Sequence, residues 1–464
     1  MARNGVVIIG AGGAGLAAAV EAAGAGKGPV TVLEAADDIG GTTAMSAGVY
    51  YGAPTSVQRA VGINDSVERM YQYYMTFNQW VIEPWLARRF CLDSGPTLEW
   101  LIELGVPFPA SGLAITGVDD VPRGHHPAGR GRGLVDVLHQ RASERGATVR
   151  TGMRVRRIAV AEGRISGVYT DDGFLSASAV VIAAGGFGAN PSMVAQYFPE
   201  AQRHGLDRTI FFGSPTSQGD SIALGQEVGA GVVGAGGGLV NWTAGFSVGP
   251  ADFCPPWLVF VNSNGRRFMD ENAPYAVAGD LISRQPGARC VAVFDEAARV
   301  GATDDHVRRA RLGVGDFSWG ATVLAEQLAA GRLHRASSVA ELAADAGIAA
   351  KALVGTLEAY NADVAHGSDR RFFKKGELAP VVTPPFYWVE ILPSSFGITN
   401  AGLRIDPEAR VYGQDERPIP GLFAAGEAAG GVLGPRYVGG GNSVAAALIF
   451  GRIAGGNASQ ADVD

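Results

Sequence analysis

Near the N-terminus, Gly10-Ala-Gly12-Gly-Ala-Gly15 joins an apolar run to an alanine-rich one. Glycines at this spacing make a tight turn, let the backbone approach a pyrophosphate, and leave a helix N-terminus facing its charge. Glu34 stands 19 residues after Gly15, where a carboxylate takes ribose hydroxyls and disfavours a 2′-phosphate. The pattern predicts a dinucleotide site. A second glycine-rich stretch, "GPRYVGGGNSV", runs from Gly434 to Val444. Glycines so dense give up packing so that backbone can come close to a ligand, and they surround one tyrosine, Tyr437. Read by itself, a tyrosine in such a loop is as readily a packed aromatic with a satisfied hydroxyl.

Residues 5–34 read as the βαβ unit that would hold the first site, with "VVIIG" and "VTVLE" as buried strands around a helix. Residues 64–105 read as mainly helical, and 134–183 return to α/β character. From about 232 to 380 short β-like pieces alternate with helical stretches, among them a Ser338–Glu341 capping-box pattern. The α/β texture resumes from about 390 and closes on a final helix beginning near Ser443. The expected layout is an α/β nucleotide-binding domain assembled from both ends, 1–231 and 381–464, with an α+β cap inserted at 232–380.

Composition narrows the partners. Glycine accounts for 67 of 464 residues, about twice ordinary usage, without the period of collagen. Net charge is −7 and no long basic run exists, which argues against nucleic acid. Cys91, Cys254 and Cys290 are odd in number and far apart, forming neither a metal-ligand spacing nor a disulfide framework. A strand begins almost at residue 5, leaving no room for a leader, and no apolar run reaches the roughly 18 residues of a membrane span. The expectation is a cytoplasmic protein.

"GGTTAMSAG" (40–48), "VVIAAGGFGAN" (180–190), "GDSIALGQEVGA" (219–230), "VNSNGRRFMDENAPY" (261–275), "GLFAAGEAAGG" (421–431) and the Gly434–Val444 stretch together make the chain resemble the flavoprotein family of soluble fumarate reductases and 3-ketosteroid Δ1-dehydrogenases. The resemblance implies a Rossmann-like FAD domain with an inserted cap. It implies FAD contacts from Gly10, Gly12, Gly13, Gly15, Glu34, Gly40, Gly41, Thr42, Thr43, Ser46 and Gly48. Further contacts come from Asp220, Glu427, Asn442, Ser443 and Val444. No histidine stands in the 40s segment for covalent attachment, so FAD is expected to bind noncovalently.

Two departures favour the ketone-desaturating branch of that family. In "GRRFMDENAPY" the slot of the fumarate reductases' proton-delivering arginine holds Tyr275. A phenol can release its proton, which arginine does not, so Tyr275 is expected to act as the base. Tyr437-Val-Gly439-Gly-Gly441 matches the Tyr-x-Gly-x-Gly element of the ketosteroid dehydrogenases, in which hydroxyl and amide hold the ketone oxygen as an oxyanion hole. The resemblance then implies that Tyr275 takes the α-proton while the β-hydride passes to the flavin.

The proton-relay tyrosine of that branch has no counterpart in "VPRGHHPAGRGRG" (121–133). There His126, or His125, is the candidate relay, and Arg123 and Arg130 could hold a substrate carboxylate. Arg436 resembles a substrate-binding arginine of the fumarate reductases, one residue out of register. A 3-ketosteroid and a smaller oxocyclohexanecarboxylate are both open as substrate, and a quinone, another carrier or oxygen as electron acceptor. The alternatives are an enoate or fumarate-type reductase and a flavin-binding protein without turnover.

Overall fold

A computed structural model of the chain describes residues 5–246, 254–302, 319–376 and 378–461. These divide into two compact units, one of residues 1–199, 213–239 and 397–464, the other of 200–212 and 240–396.

The first unit is built on a six-stranded sheet in the order 410–412, 418–424, 179–182, 6–9, 30–33, 148–150. All pairings are parallel except the edge pair of Arg410–Tyr412 with Pro418–Ala424. Val6–Ile9 and Ala179–Ile182 are buried at every position, as continuous apolar runs must be where helices cover both faces of a parallel sheet. The first helix, Gly13–Gly24, packs on the last, Asn442–Ala458. Gly451 and Gly455 permit that approach, because a Cβ on either would come within 2.4 and 2.2 Å of the carbonyl oxygens of Ala14 and Ala18. This contact carries the N-terminus of the last helix to the glycine turn at residues 10–13. Residues 64–105 form the helices Val67–Phe77 and Pro84–Leu104.

The second unit centres on the long strand Phe386–Thr399, which is buried along nearly its whole length. It pairs antiparallel with Cys290–Asp295 from Cys290↔Ile391 to Asp295↔Phe386. Trp242, Trp257, Phe294 and Trp319 fill the core on one side of this sheet. The register explains why the boundary falls at 396 and not at the expected 380: Phe386–Ile391 are locked to that neighbour. Residues 200–212 join this unit as well, their Ile210–Phe211 pairing with Ser395–Phe396. Ser338 caps the helix Val339–Asp345 through the Glu341 N–H. Among the described residues no helix is long and apolar enough to cross a membrane, and no cluster of metal-ligating side chains occurs.

Candidate active site

The first unit holds a cavity where the parallel strands end. Gly10, Gly12, Gly13, Gly41, Thr42, Thr43 and Ser46 line it from the N-terminal half, and Asp220, Glu427, Ser443 and Val444 from the rest of the chain. Its cradle is bare backbone: a Cβ on Gly12 would meet nothing nearer than 3.8 Å and would stand in the cavity itself. Glu34 lines it too, its carboxylate held by the N–H groups of Ala11 at 2.7 Å and Ala36 at 2.9 Å. A backbone cradle at a helix N-terminus, with a fixed carboxylate beyond it, fits a dinucleotide such as FAD.

Gly15, Gly40, Gly48 and Asn442 lie outside this lining. Gly15 does steric work, since a Cβ there would fall 1.9 Å from the Gly10 carbonyl oxygen and lift the helix off the strand. Asn442 is fully buried, with neither amide atom in a hydrogen bond. The lining also includes Met153, Arg154, Ser214, Thr216 and Ser217, which no spacing in the sequence pointed to. Arg154 is ion-paired with Asp220. Burial pushes the Glu427 carboxyl up to about 7, opposed by hydrogen bonds from the Thr399 N–H and hydroxyl at 2.8 and 3.1 Å.

At the edge of the cavity the last helix begins. Its N-cap is Gly441, with φ 98°, a left-handed conformation that glycine adopts without penalty. One hydrogen bond behind Ser443 sits Tyr437, its hydroxyl 2.9 Å from the Ser443 Oγ and accepting the Ser443 N–H at 3.4 Å. Burial raises the Tyr437 pKa, while Ser443 and the Gly441 backbone pull it the other way. The phenol oxygen thus accepts an N–H at the helix N-terminus and shares with the Ser443 hydroxyl a hydrogen bond that either oxygen can donate; neither Tyr437 nor Gly441 is itself among the residues lining the cavity.

Two residues that the sequence did not single out hold this loop. Tyr73 donates to the Val438 carbonyl at 2.7 Å and accepts the Val118 N–H at 3.1 Å. Thr116 donates its hydroxyl to the Gly440 carbonyl at 3.0 Å, and the Gly440 N–H returns to the Thr116 carbonyl at 3.2 Å. Their partners lie 365 and 324 residues away, beyond any local pattern.

Residues 121–133 do something other than what their types suggested. Arg123 is completely buried and bonds Asp65 through two nitrogens, at 2.7 and 3.1 Å, as well as pairing with Asp119. It is therefore a structural cation, with no charge left over for a substrate carboxylate. His125 is also buried. Its Nδ1 lies 2.8 Å from the Arg123 carbonyl and its Nε2 2.9 Å from the Thr55 hydroxyl. Burial pushes its pKa down to about 4, so it is a neutral core histidine, not a relay. His126 is half-buried, with its pKa lowered by burial, and is not part of the cavity lining. Arg130 is exposed at the first position of the helix Arg130–Glu144. Arg436 is tied to the turn after residue 77, its N–H donating to Asn78 Oδ1 at 3.0 Å and its guanidinium to the Phe77 carbonyl at 3.2 Å.

Tyr275 belongs to the second unit, where it is the half-buried first residue of the helix Tyr275–Ser283. Just before it, Glu271 is buried between Arg267, at 2.9 Å, and Lys374, at 3.2 Å.

Residues 5–444 match a family model described as an FAD binding domain. An NADH:fumarate oxidoreductase of Klebsiella pneumoniae is 31% identical over 98% of this chain, although the chain spans only 47% of that relative. A probable fumarate reductase of Shewanella frigidimarina is 29% identical over 99% of the chain and 75% of its own length. Among solved structures, the 3-ketosteroid-Δ4-(5α)-dehydrogenase of Rhodococcus jostii RHA1 in complex with 4-androstene-3,17-dione is 27% identical. It superposes with a TM-score of 0.82 over 99% of this chain and 97% of that one.

Proposed function

Because the chain belongs to the FAD binding domain family, we propose that it is an FAD-dependent oxidoreductase that introduces a C=C bond α,β to the carbonyl of a cyclic ketone. FAD, bound without a covalent link, supplies the two-electron acceptor. The glycine cradle would take its pyrophosphate, Glu34 its ribose, and the Ser443–Val444 helix end its ring. Tyr275 takes the α-proton; a place at a helix N-terminus favours an anionic side chain by about 0.3–1 kcal/mol. Tyr437 and the Gly441 N–H hold the carbonyl oxygen as negative charge gathers on it.

The observation that carries this reading is the Tyr437 hydroxyl seated on the N-terminus of the last helix, one hydrogen bond from Ser443, which lines the cavity. The fate of the cations adds support. Arg123 is neutralised by two aspartates, and Arg436 is tied to backbone. A neutral carbonyl suits these surroundings better than a dicarboxylate, and the Rhodococcus neighbour holds a steroid ketone. A second reading, reduction of the C=C bond of an enoate, draws on the relatives named as fumarate reductases.

Anaerobic mixing of the oxidised holoenzyme with saturated ketones separates the two. Bleaching of the flavin band by a cyclic ketone is the expected result. No bleaching by any ketone, together with reoxidation of the reduced enzyme by fumarate, would establish the second reading instead.

A further inference from the structure

A cleft of about 720 Å³ lies in the first unit and shares no lining residue with the cofactor cavity. Its wall is aromatic and open: Trp80, Val81 and Trp85 are each 68% accessible, and large apolar side chains clustered in water mark a binding surface. The turn that displays them is held in place by hydrogen bonds. Gln79 and Trp80 both adopt left-handed backbone, with φ of 53° and 59°, which costs a non-glycine residue on the order of 1 kcal/mol. Against that cost, the Trp80 N–H donates to the Met75 carbonyl at 2.8 Å and the Val81 N–H to the Asn78 carbonyl at 3.0 Å. Trp85 is fixed by Glu83, which caps its helix and accepts its N–H at 3.3 Å. Gly430, Gly431 and Gly434 give the cleft a stretch of bare backbone, on which a flat ring can lie.

Of the charged lining residues, Arg404 is paired with Glu416 at 3.0 Å and Asp406 with Arg410 at 2.6 Å, while the Glu83 carboxylate accepts the Trp85 N–H. Arg404 is the one cation among the described lining residues, so an anion gains nothing here. The exposed tryptophans and bare glycine backbone suit a flat, largely apolar ligand that is not an anion, and the volume is inside the range of small-molecule sites. The cleft is also one strand away from the cofactor cavity. Ile398 lines the cavity and Asn400 the cleft, about 7 Å apart along extended chain. Between them Thr399 is bonded to Glu427. Such a wall stops transfer of a hydride, which needs atoms about 3–3.5 Å apart, while electrons can cross it.

We propose that this cleft is a quinone site through which the flavoenzyme exchanges electrons with its redox partner. When the enzyme desaturates a substrate, the reduced cofactor FADH⁻ gives up two electrons and one proton, solvent gives a second proton, and quinone becomes quinol. A reductase would run the same exchange backwards. The inference rests on the proposed function for the presence of FAD, but not for the ketone or the direction of reaction. Arg404 and Tyr412 stand at the rim as donors to the quinone oxygens.

The test uses holoenzyme and menadione with no ketone present, so it stands apart from the ketone assay. Isothermal titration measures menadione binding to the oxidised protein, and anaerobic stopped flow follows reoxidation of the dithionite-reduced protein. Both should saturate. Trp80→Ala and Trp85→Ala should each weaken binding at least tenfold with FAD content and melting temperature unchanged. Ala235→Trp, at an exposed position of the lining, should block the cleft without removing either tryptophan. Reoxidation that rises linearly with menadione, or wild-type affinity in these variants, would overturn the proposal.

Discussion

The turn from Gly434 to Ser443 and the segment from Val121 to Arg130 both carry side chains that could do chemistry, yet the fold uses them in opposite ways. In the first, a phenol is buried at the N-terminus of the last helix, bonded to the N–H and the hydroxyl of Ser443. In the second, Arg123 is spent on Asp65 and Asp119, and His125 on Thr55 and a backbone carbonyl. Tyr437, Arg123 and His125 are all buried. What separates them is that the phenol's partner, Ser443, lines the cofactor cavity, whereas no residue from Val121 to Arg130 does.

The largest test of that contrast is Arg123→Met. Removing one partner of a buried ion pair strands the other charges, at a cost of about 3–5 kcal/mol. Urea unfolding should show that loss, while KM for the ketone in the surviving folded fraction stays within a few-fold of wild type. A large KM change at unaltered stability would return this segment to the substrate site. Tyr437→Phe is the mirror experiment. Losing one oxyanion donor costs about 100- to 1,000-fold in turnover, and the FAD content should hold. Gly441→Ala is a poorer probe of the oxyanion hole than Tyr437→Phe. A Cβ there falls 2.8 Å from the Val49 carbonyl oxygen on backbone at φ 98°, so folding suffers along with the rate. Tyr275→Phe should abolish reduction of the flavin by ketone at normal FAD content, and unimpaired reduction would remove Tyr275 from the reaction.

Much of this site was legible because its chemistry is local. The glycine turn, Glu34 at the end of the second strand and the glycines before Ser443 each work within a few residues of chain, and so leave a spacing. Tyr73 and Thr116 left none, because a hydrogen bond to a carbonyl several hundred residues away places no demand on neighbouring sequence. The same holds for Arg123, whose type pointed to a ligand while its role depends on Asp65, 58 residues away. The cap boundary moved for a related reason. Phe386–Phe396 resembles the α/β texture that follows it, and its pairings with Cys290–Asp295 and Ile210–Phe211 assign it to the second unit.

A subtler test concerns Glu427, whose carboxyl burial pushes from 4.5 up to about 7. In the apoprotein, the unfolded chain ionises this group first as pH rises, so the folded state becomes the more protonated one and loses stability. The loss should run from about pH 4.5 to 7 and level off above that, amounting to at most about 3.4 kcal/mol at ~1.36 kcal/mol per pH unit. Glu427→Gln should flatten that part of the melting-temperature profile. An unchanged slope would mean that another group titrates there.

The smallest expected effect belongs to Arg436, and it bears on the comparison most directly because this residue sits inside the favoured turn yet is held like those of the other segment. Its side chain donates to the Phe77 carbonyl, and its N–H to Asn78. Only the first bond is lost in Arg436→Ala. One partly exposed hydrogen bond is worth about 0.5–1.5 kcal/mol, so a melting shift of a few degrees is expected, with kcat/KM for a neutral ketone unchanged within twofold. The informative companion is a ketone bearing a carboxylate. If Arg436 faces substrate, this compound alone loses tenfold or more in KM in the variant, and the turn would then contain one cation that its backbone partners had not exhausted.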